Sequence, residues 1–467
     1  MKLVMKFGGT SVGESSRIKH VASIVRDHAR KGNKIVVVVS AMSGVTDRLI
    51  EAAEKASMRD RSSIEAFVKS LAGMHNQACQ EVIEDREILE QTLRSLNEQI
   101  AELEKVLVGI TYLGELTLRS KDYVLSFGEK LSAIMMSGTL KDLGLRTESF
   151  LGGQCGIVTD DSFGEAKPLM NITRQQVKEK MGRIIEAGVV AVVTGFIGTT
   201  QDGLTTTLGR GGSDYTATIL GATLEVDEVW IWTDVDGLMT ADPKDEPSAK
   251  TIPVVSFSEA MEMAYFGAKA MHPRALEPAS ERGISIRVKN TFNPESSGTL
   301  IVKEQQVKPE SIVKAVAIIR NLGLITVSGA GMVGAPSIAA KVFSVLGENR
   351  INVLMISQSS SEANISFVTP RTNLEKAVNA LELSLLGTGF VKEVTSETDI
   401  CIIAVVGAGM KGTPGVAARV FKAVAEQGVN IRMIAQGSSE LNISFVVEEN
   451  GGVKALQALH REFKLDC

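Results

Sequence analysis

The chain has 467 residues, with 50 Lys and Arg against 55 Asp and Glu for a net charge of −5, and 44% hydrophobic but only 4% aromatic residues. At roughly 100–200 residues per domain this is a soluble globular chain of about two to four domains, which excludes disorder, collagen and a disulfide scaffold; the lack of basic excess and of aromatics argues against a nucleic-acid surface. Cys79, Cys155, Cys401 and Cys467 form no C-x-x-C pair, and no apolar run is long enough for a signal peptide or a membrane span, so reduced thiols in a cytoplasmic protein without membrane attachment are expected.

The first elements alternate. Leu3–Phe7 and Ile35–Ser40 read as short strands, each ending in a Gly/Ser-rich turn, with a helix over Ile18–Arg30 between them; this order predicts a parallel sheet. The first strand runs into Lys6-Phe7-Gly8-Gly9-Thr10-Ser11-Val12-Gly13. Glycines there let backbone N–H groups approach a phosphate, the helix that follows adds its positive end, and a lysine can neutralise a transferring phosphoryl group. A plain strand-to-helix turn is the alternative. Gly9-Thr10-Ser11-Val12-Gly13 also matches the hydrolase elbow G-x-S-x-G, but no earlier strand supplies an oxyanion loop; no Walker A sequence occurs.

Ile64 to about Leu107 reads as a long helical hairpin, and strands return at Val189–Thr194, Glu228–Thr233 and Ile284–Val288. Between them Leu208-Gly209-Arg210-Gly211-Gly212-Ser213-Asp214 enters a helix. An Arg among glycines suits a carboxylate or phosphate, while Asp214 is either an N-cap or a group that positions a cation. Trp232-Thr233-Asp234-Val235-Asp236-Gly237 follows a strand, at the usual ligand edge of an open α/β sheet, or is simply an Asx-type turn. The α/β pattern ends near Val302, and the polar stretch Lys303–Ser311 is the expected boundary.

The last third repeats itself at an offset of 78 residues. Gly329-Ala330-Gly331-Met332-Val333-Gly334 returns as Gly407-Ala408-Gly409-Met410-Lys411-Gly412, Asn352 as Asn430, Gln358 as Gln436, Glu362 as Glu440, and Asn364–Val368 as Asn442–Val446. Each copy reads β-α-β-β-α: Leu324–Ser328, Ser337–Leu346, Asn352–Ser357, Asn364–Val368 and Leu374–Leu385 in the first, with a last strand near Phe390–Thr395. The second copy ends on a helix, Val453–Phe463, and lacks a final strand, whereas Ile312–Ile319 is a spare strand before the first copy. We expect it to complete the second copy's sheet, because an open edge invites aggregation. Both glycine loops fit G-x-G-x-x-G, but the short units and the missing acidic strand end speak against a dinucleotide site.

Lys6–Ser11, Ser126-Phe127-Gly128-Glu129, Gly195-Phe196, Gly209–Asp214, Thr233-Asp234-Val235, Asp242-Pro243 and Gly267-Ala268-Lys269 stand in the order of the signature blocks of the aspartokinases, which the chain resembles essentially end to end; its repeats resemble tandem ACT domains. The resemblance implies an α/β fold over residues 1–302, a three-layer αβα amino-acid-kinase fold with a mainly parallel central sheet. Two α+β, ferredoxin-like ACT domains would follow at 312–395 and 399–467. It implies transfer of phosphate from ATP, with Mg²⁺, to L-aspartate, giving 4-phospho-L-aspartate, the first step towards lysine, threonine and methionine. It implies catalytic roles for Lys6, Asp214 and Lys269. ATP would be held by Lys6, Phe7, Gly8, Gly9, Arg210, Gly211, Gly212, Ser213, Thr233, Asp234, Met239, Lys244, Lys269 and Ala270. Met239 and Lys244 depart from the family, which often has tyrosine and arginine there. Aspartate would be held by Ser40, Thr46, Glu129, Phe196, Arg210, Ser213 and Asp214. Mg²⁺ would ride on the phosphates without direct protein ligands.

An amino-acid effector, threonine first and lysine second, would bind the ACT units around Gly331, Met332, Val333, Gly334, Asn352, Gln358, Gly409, Met410, Asn430 and Gln436. Met355–Gln358 with Ser360-Ser361-Glu362 resembles the threonine-responsive members. Paired ACT units imply a homo-oligomer, dimer or tetramer. No fused homoserine dehydrogenase is expected, since no residues remain after the second repeat. A kinase relative acting on another substrate, and a non-catalytic amino-acid sensor, are the alternatives.

Overall fold

The computed structural model describes residues 1–267, 271–303, 311–335 and 337–466. The first half strings together β1 (Lys2–Phe7), α1 (Ser15–Arg30), β2 (Lys34–Val39), α2 (Val45–Ser57), α3 (Arg61–Val82), α4 (Arg86–Leu113), α5 (Leu118–Asp142), β3 (Thr147–Phe150), α6 (Gly152–Cys155) and α7 (Met170–Glu186). Then come β4 (Val190–Thr194), β5 (Ile197–Thr199), β6 (Thr205–Thr207), α8 (Gly212–Leu224), β7 (Glu228–Thr233), β8 (Val254–Ser256), α9 (Phe257–Tyr265), α10 (Pro273–Arg282), β9 (Ser285–Asn290) and β10 (Thr299–Val302). The second half holds β11 (Ala315–Ser328), α11 (Ser337–Glu348), β12 (Met355–Gln358), β13 (Asn364–Pro370) and α12 (Leu374–Leu385). It closes with β14 (Glu393–Val406), α13 (Val416–Ala425), β15 (Ile431–Ala435), β16 (Asn442–Glu448) and α14 (Glu449–Glu462).

Eight strands form one sheet in the order β3-β4-β2-β1-β7-β9-β10-β8, parallel throughout except that β10 runs against β9. The run Ile35-Val36-Val37-Val38-Val39 is buried along its whole length, as a central strand covered on both faces must be. The expected hairpin is α3 and α4, interrupted at Ile83-Glu84-Asp85, where the Asp85 carboxylate accepts the N–H groups of Glu87 and Ile88 and starts α4.

The second half is one six-stranded antiparallel sheet, β12-β13-β11-β14-β16-β15. The two strands expected at Ile312–Ile319 and Leu324–Ser328 are one strand, β11, which runs through Arg320–Gly323 with register shifts beside Leu322. Asn321 takes up the irregularity at φ 60°. The early part, Ala315–Ile319, pairs with Ile402–Val406 of β14, which itself pairs with β16; the late part, Leu322–Ser328, lies between β13 and the start of β14. The second copy's first strand, Ile402–Val406, is therefore flanked by Ala315–Ile319 from ahead of the first copy, as expected of the spare strand. Two cores follow: one around Ile325, Phe367 and Leu381, the other around Ile403, Phe445 and Leu456, which also takes in Val313 and Val316.

By contact the chain does not divide at a single cut near 302. One unit contains Met1–Leu238, Pro253–Phe257 and residues 271–303; the other contains the repeats together with Met239–Ile252 and the helix that follows Phe257. In the second unit Ala241 enters the core of the second repeat, the Arg320 guanidinium grips both Asp245 oxygens, and Thr240 Oγ1 lies 2.9 Å from Nε2 of the buried His460.

Candidate active site

In an open parallel sheet, ligands bind beyond the carboxyl ends of the strands. Here β1 ends in Phe7, stacked on Trp232 at 5.7 Å, and the Gly8 N–H reaches the Trp232 carbonyl at 3.4 Å, so the ends of β1 and β7 are joined. A side chain on Gly8 would start 3.4 Å from Lys6 Nζ, and one on Gly9 would start 3.1 Å from the Ala41 carbonyl. The two glycines thus leave a bare backbone turn beside an ammonium group. Ser11 and Thr291 close its far side through their hydroxyls, 2.7 Å apart.

The second glycine turn faces the same lysine. Gly209 and Gly211 hold φ values of +74° and +70°, which only glycine adopts without strain, and α8 starts at once behind them. Asp214, in the first turn of α8, places Oδ1 2.5 Å from Lys6 Nζ; both side chains are nearly buried, and the contact is an ion pair without hydrogen-bond alignment. Gly195 and Gly212 allow the approach. A Cβ on the first would fall 2.6 Å from Ser213 Cβ, and one on the second 2.7 Å from the Phe196 ring. Phe196 is held at φ +68°, with its N–H on Thr216 Oγ1 and its carbonyl accepting from Leu208. Arg210 is exposed.

A third group comes from α5. A Cβ on Gly128 would fall 2.7 Å from Ala41 Cβ, so the helix lies directly on the turn after β2. That contact lets Glu129 Oε1 accept the Ala41 N–H at 3.1 Å, while Oε2 is buried without a partner. Burial pushes the Glu129 carboxyl up to about 8, against the smaller opposing pull of the Ala41 N–H. Ser40, whose N–H bonds the Phe7 carbonyl, and Thr46, in the first turn of α2, share this turn.

Of the remaining expected residues, Thr233 donates to Asp234 Oδ1 beyond β7. Met239 and Lys244 belong to the second unit, where Met239 bridges to Thr251 and the Lys244 N–H closes a turn on Asp242. Lys269 and Ala270 lie outside the described residues. Among the described residues no three His, Cys, Asp or Glu side chains cluster as a metal site. Two further residues support the site; of these only Asp122 was not singled out from sequence. His272 accepts the Arg274 N–H through Nδ1, and its Cβ would sit 2.5 Å from a Cβ on Gly211, so it backs the second glycine turn. Asp122 accepts from the Gly164 and Thr207 N–H groups and the Thr207 hydroxyl, tying β6 to α5. In sequence His272 stands in the run Phe266–Pro273, which includes the Gly267-Ala268-Lys269 block, and is the one histidine in a motif-like setting; nothing local marks Asp122.

In the repeats, Gly331, Val333, Gly334 and Gly409 lie in the loops between strand and helix, whereas Met332 and Met410 turn their side chains into the cores. Pro336 is outside the described residues. Asn352, Gln358, Asn430 and Gln436 are exposed. Glu362 accepts the Gly334 N–H at 2.8 Å and Glu440 accepts the Gly412 N–H at 2.6 Å, so both copies close their loop with the same carboxylate.

The amino acid kinase family matches residues 1–290, and an ACT domain matches twice, at 325–385 and 403–463. The chain is 36% identical over 474 residues to a bifunctional aspartokinase/homoserine dehydrogenase 1 of Arabidopsis thaliana, covering 99% of this chain and 51% of that protein; it spans about half the length of the bifunctional relatives it matches. It is 34% identical to Aspartokinase 1 of the same plant, covering 98% of this chain and 80% of that one. Among solved structures, E. coli aspartokinase III in complex with aspartate and ADP superposes with a TM-score of 0.82 at 27% identity, over 99% of this chain and 100% of that one. The same E. coli protein in complex with lysine and aspartate gives a TM-score of 0.81 at 28% identity, over 99% of each chain.

Proposed function

The chain belongs to the amino acid kinase family, on its aspartokinase branch, and from that premise we propose that it transfers the terminal phosphate of ATP to the side-chain carboxylate of L-aspartate, yielding ADP and 4-phospho-L-aspartate. The observation that carries this reading is the buried meeting of Lys6 and Asp214 between two bare glycine turns. The substrate carboxylate has a pKa near ~3.9 and is already an anion at pH 7, so no general base is needed. What the reaction needs is positive charge and alignment as one anion approaches another.

On this reading Lys6 and Lys269 neutralise the transferring group, and Gly8, Gly9, Gly211, Gly212 and Ser213 present backbone to the phosphates. Thr233 and Asp234 sit on the nucleotide side, and Arg210 holds the α-carboxylate. Ser40, Thr46 and Phe196 shape the aspartate pocket. Glu129 receives the α-ammonium. Its unpartnered Oε2 supports that role, because a buried carboxylate held up to about 8 gains most from an incoming cation. Mg²⁺ supplies neutralisation of the phosphate charges, and Asp214 Oδ1, which makes no aligned hydrogen bond, is the group that would order its water shell.

The ACT repeats make the activity answer to an amino acid. Threonine is the first candidate and lysine the second. The E. coli lysine complex speaks for lysine, but here the two carboxylates that could take its side-chain ammonium, Glu362 and Glu440, are spent on backbone N–H groups. The edge strands β12 and β15 expose Ile356 and Ile434, one offset apart, which suits assembly into a homodimer or larger oligomer through the repeats. Cys79, Cys155 and Cys401 are free and buried, as in a reducing cytoplasm. The product would feed the synthesis of lysine, threonine and methionine.

The test is ATP turnover with Mg²⁺ across a panel of amino acids, with hydroxylamine trapping the acyl phosphate. Turnover and hydroxamate with aspartate alone are expected. Turnover with glutamate or acetylglutamate instead, or with nothing, refutes the reading. Titration with threonine, lysine and methionine then tests regulation. Insensitivity to threonine beside clear inhibition by lysine reverses the order of the two candidates.

A further inference from the structure

Glu129 and Arg210 come to the aspartate site from different elements, the first from α5 and the second from the turn that follows β6. A substrate gripped by both needs them at a fixed spacing. Asp122 is the side chain that joins the two elements. It lies on α5 seven residues before Glu129, two turns away on the same face of the helix. It is 1% exposed. Its Oδ2 accepts the Gly164 and Thr207 N–H groups, both at 2.9 Å, and its Oδ1 accepts the Thr207 hydroxyl at 2.7 Å. Thr207 ends β6, and Arg210 is the third residue after it.

The segment 164–166 is drawn into the same knot. The Ala166 N–H donates to the Thr207 carbonyl at 2.9 Å, and a Cβ on Gly209 would fall 3.2 Å from Glu165 Cγ. The chain from Thr207 to Gly209 is thus held between Asp122 and this segment as it runs towards Arg210. The phosphate-facing half of the turn has supports of its own. His272 backs Gly211, and Phe196 is tied to Leu208 on one side and to Thr216 of α8 on the other. Burial pushes the Asp122 carboxyl above its ordinary value, and its three hydrogen bonds pull the other way. Its partners, Gly164 and Thr207, are not among the groups assigned to substrate or phosphate, so the carboxylate acts through the turn. We propose that Asp122 is a positioning residue that sets the distance between Glu129 and Arg210, and with it the spacing offered to the α-ammonium and α-carboxylate of aspartate. This deepens the reading of the site given above and rests on the roles of those two residues in it.

Steady-state kinetics of the full chain, with aspartate and ATP varied in turn, tests the role. Asp122→Ala should raise the KM for aspartate about tenfold or more, and move kcat and the KM for ATP by less than about threefold. Asp122→Asn should bring the aspartate KM back to within about threefold of wild type, because the amide oxygen can accept both N–H groups and the amide nitrogen can donate to the Thr207 hydroxyl. Thr207→Val removes the hydroxyl contact alone and suits a strand; it should raise the same constant about threefold, and it decides the question if the alanine variant does not fold. Thr173→Val is the matched control. Its buried hydroxyl accepts the Val158 N–H at 3.1 Å and donates to the Val158 carbonyl at 3.0 Å, so its loss should lower the melting temperature and leave all three constants unchanged. An aspartate KM unmoved in both Asp122→Ala and Thr207→Val overturns the positioning role while the kinase reading stands. So does an asparagine variant as impaired as alanine, or a kcat and an ATP KM that shift together with the aspartate KM. No turnover of aspartate by the wild-type chain overturns the kinase reading itself.

Discussion

Glu129 sits desolvated with one oxygen on the Ala41 N–H and the other without a partner. Its folded-state value of about 8 stands above the ordinary 4.5. Between those values the folded chain keeps a proton that the unfolded chain releases, so stability falls as pH rises through that window. Glu129→Gln should therefore melt higher than wild type at pH 8 to 9, match it near pH 4.5, and bind aspartate at least about tenfold more weakly. Thermal melts at three pH values with aspartate KM measurements check this; a difference in melting temperature that ignores pH contradicts it. Lys6 is the opposite case, a charge whose worth lies in the reaction. Lys6→Ala, and equally Asp214→Asn, should lower kcat by ~10²–10³ with circular dichroism unchanged. Lys6, Arg210, Asp214 and the glycines beside them stood out because they sit in short runs poorly explained by packing, whereas Glu129 was named only through the family resemblance. Asp122 did not stand out, since its three partners lie 42 and 85 residues away.

The repeat was plain in sequence because its identities fall at one offset without a gap, and helix α12 lies where the apolar period put it. The continuity of β11 was hidden. Arg320-Asn321-Leu322-Gly323 reads locally as a turn, and only the strands on either side carry the chain straight through it. The crossing has a measurable result. Val316 precedes the first repeat in sequence but is buried in the core of the second, with Ile403 and Phe445. Val316→Asp places an unpaired carboxylate there at a cost of several kcal/mol. Hydrogen exchange should show protection lost over Ile443–Val447 more than over Ile365–Val368. Equal loss in both, or loss confined to the first repeat, contradicts the pairing.

At the scale of the molecule, the family match through residue 290 and the contact division disagree over Met239–Ile252 and the α9 helix, which pack with the repeats. Nothing in their composition separates them from the segments around them; their allegiance is set by partners such as Phe445 and Arg320. A fragment of residues 1–302 should thus expose Ala241 and the buried α9 residues Ala260 and Met263, and be less soluble than the full chain. Equal solubility and melting temperature for the two contradicts this. The shared strand also sets an order of events during synthesis. Ala315–Ile319 leaves the ribosome roughly 80 to 90 residues before Ile402–Val406, its partner in β14. At ~5–20 residues per second that is a wait of about 4 to 18 seconds for a strand of Val, Ile and Ala. Its described backbone contact with chain already made is the Val316 N–H on the Thr240 carbonyl. The nascent protein therefore carries an unfinished sheet edge until Ile402–Val406 emerges, and it is in this interval that a chaperone or a neighbouring polysome chain would find it.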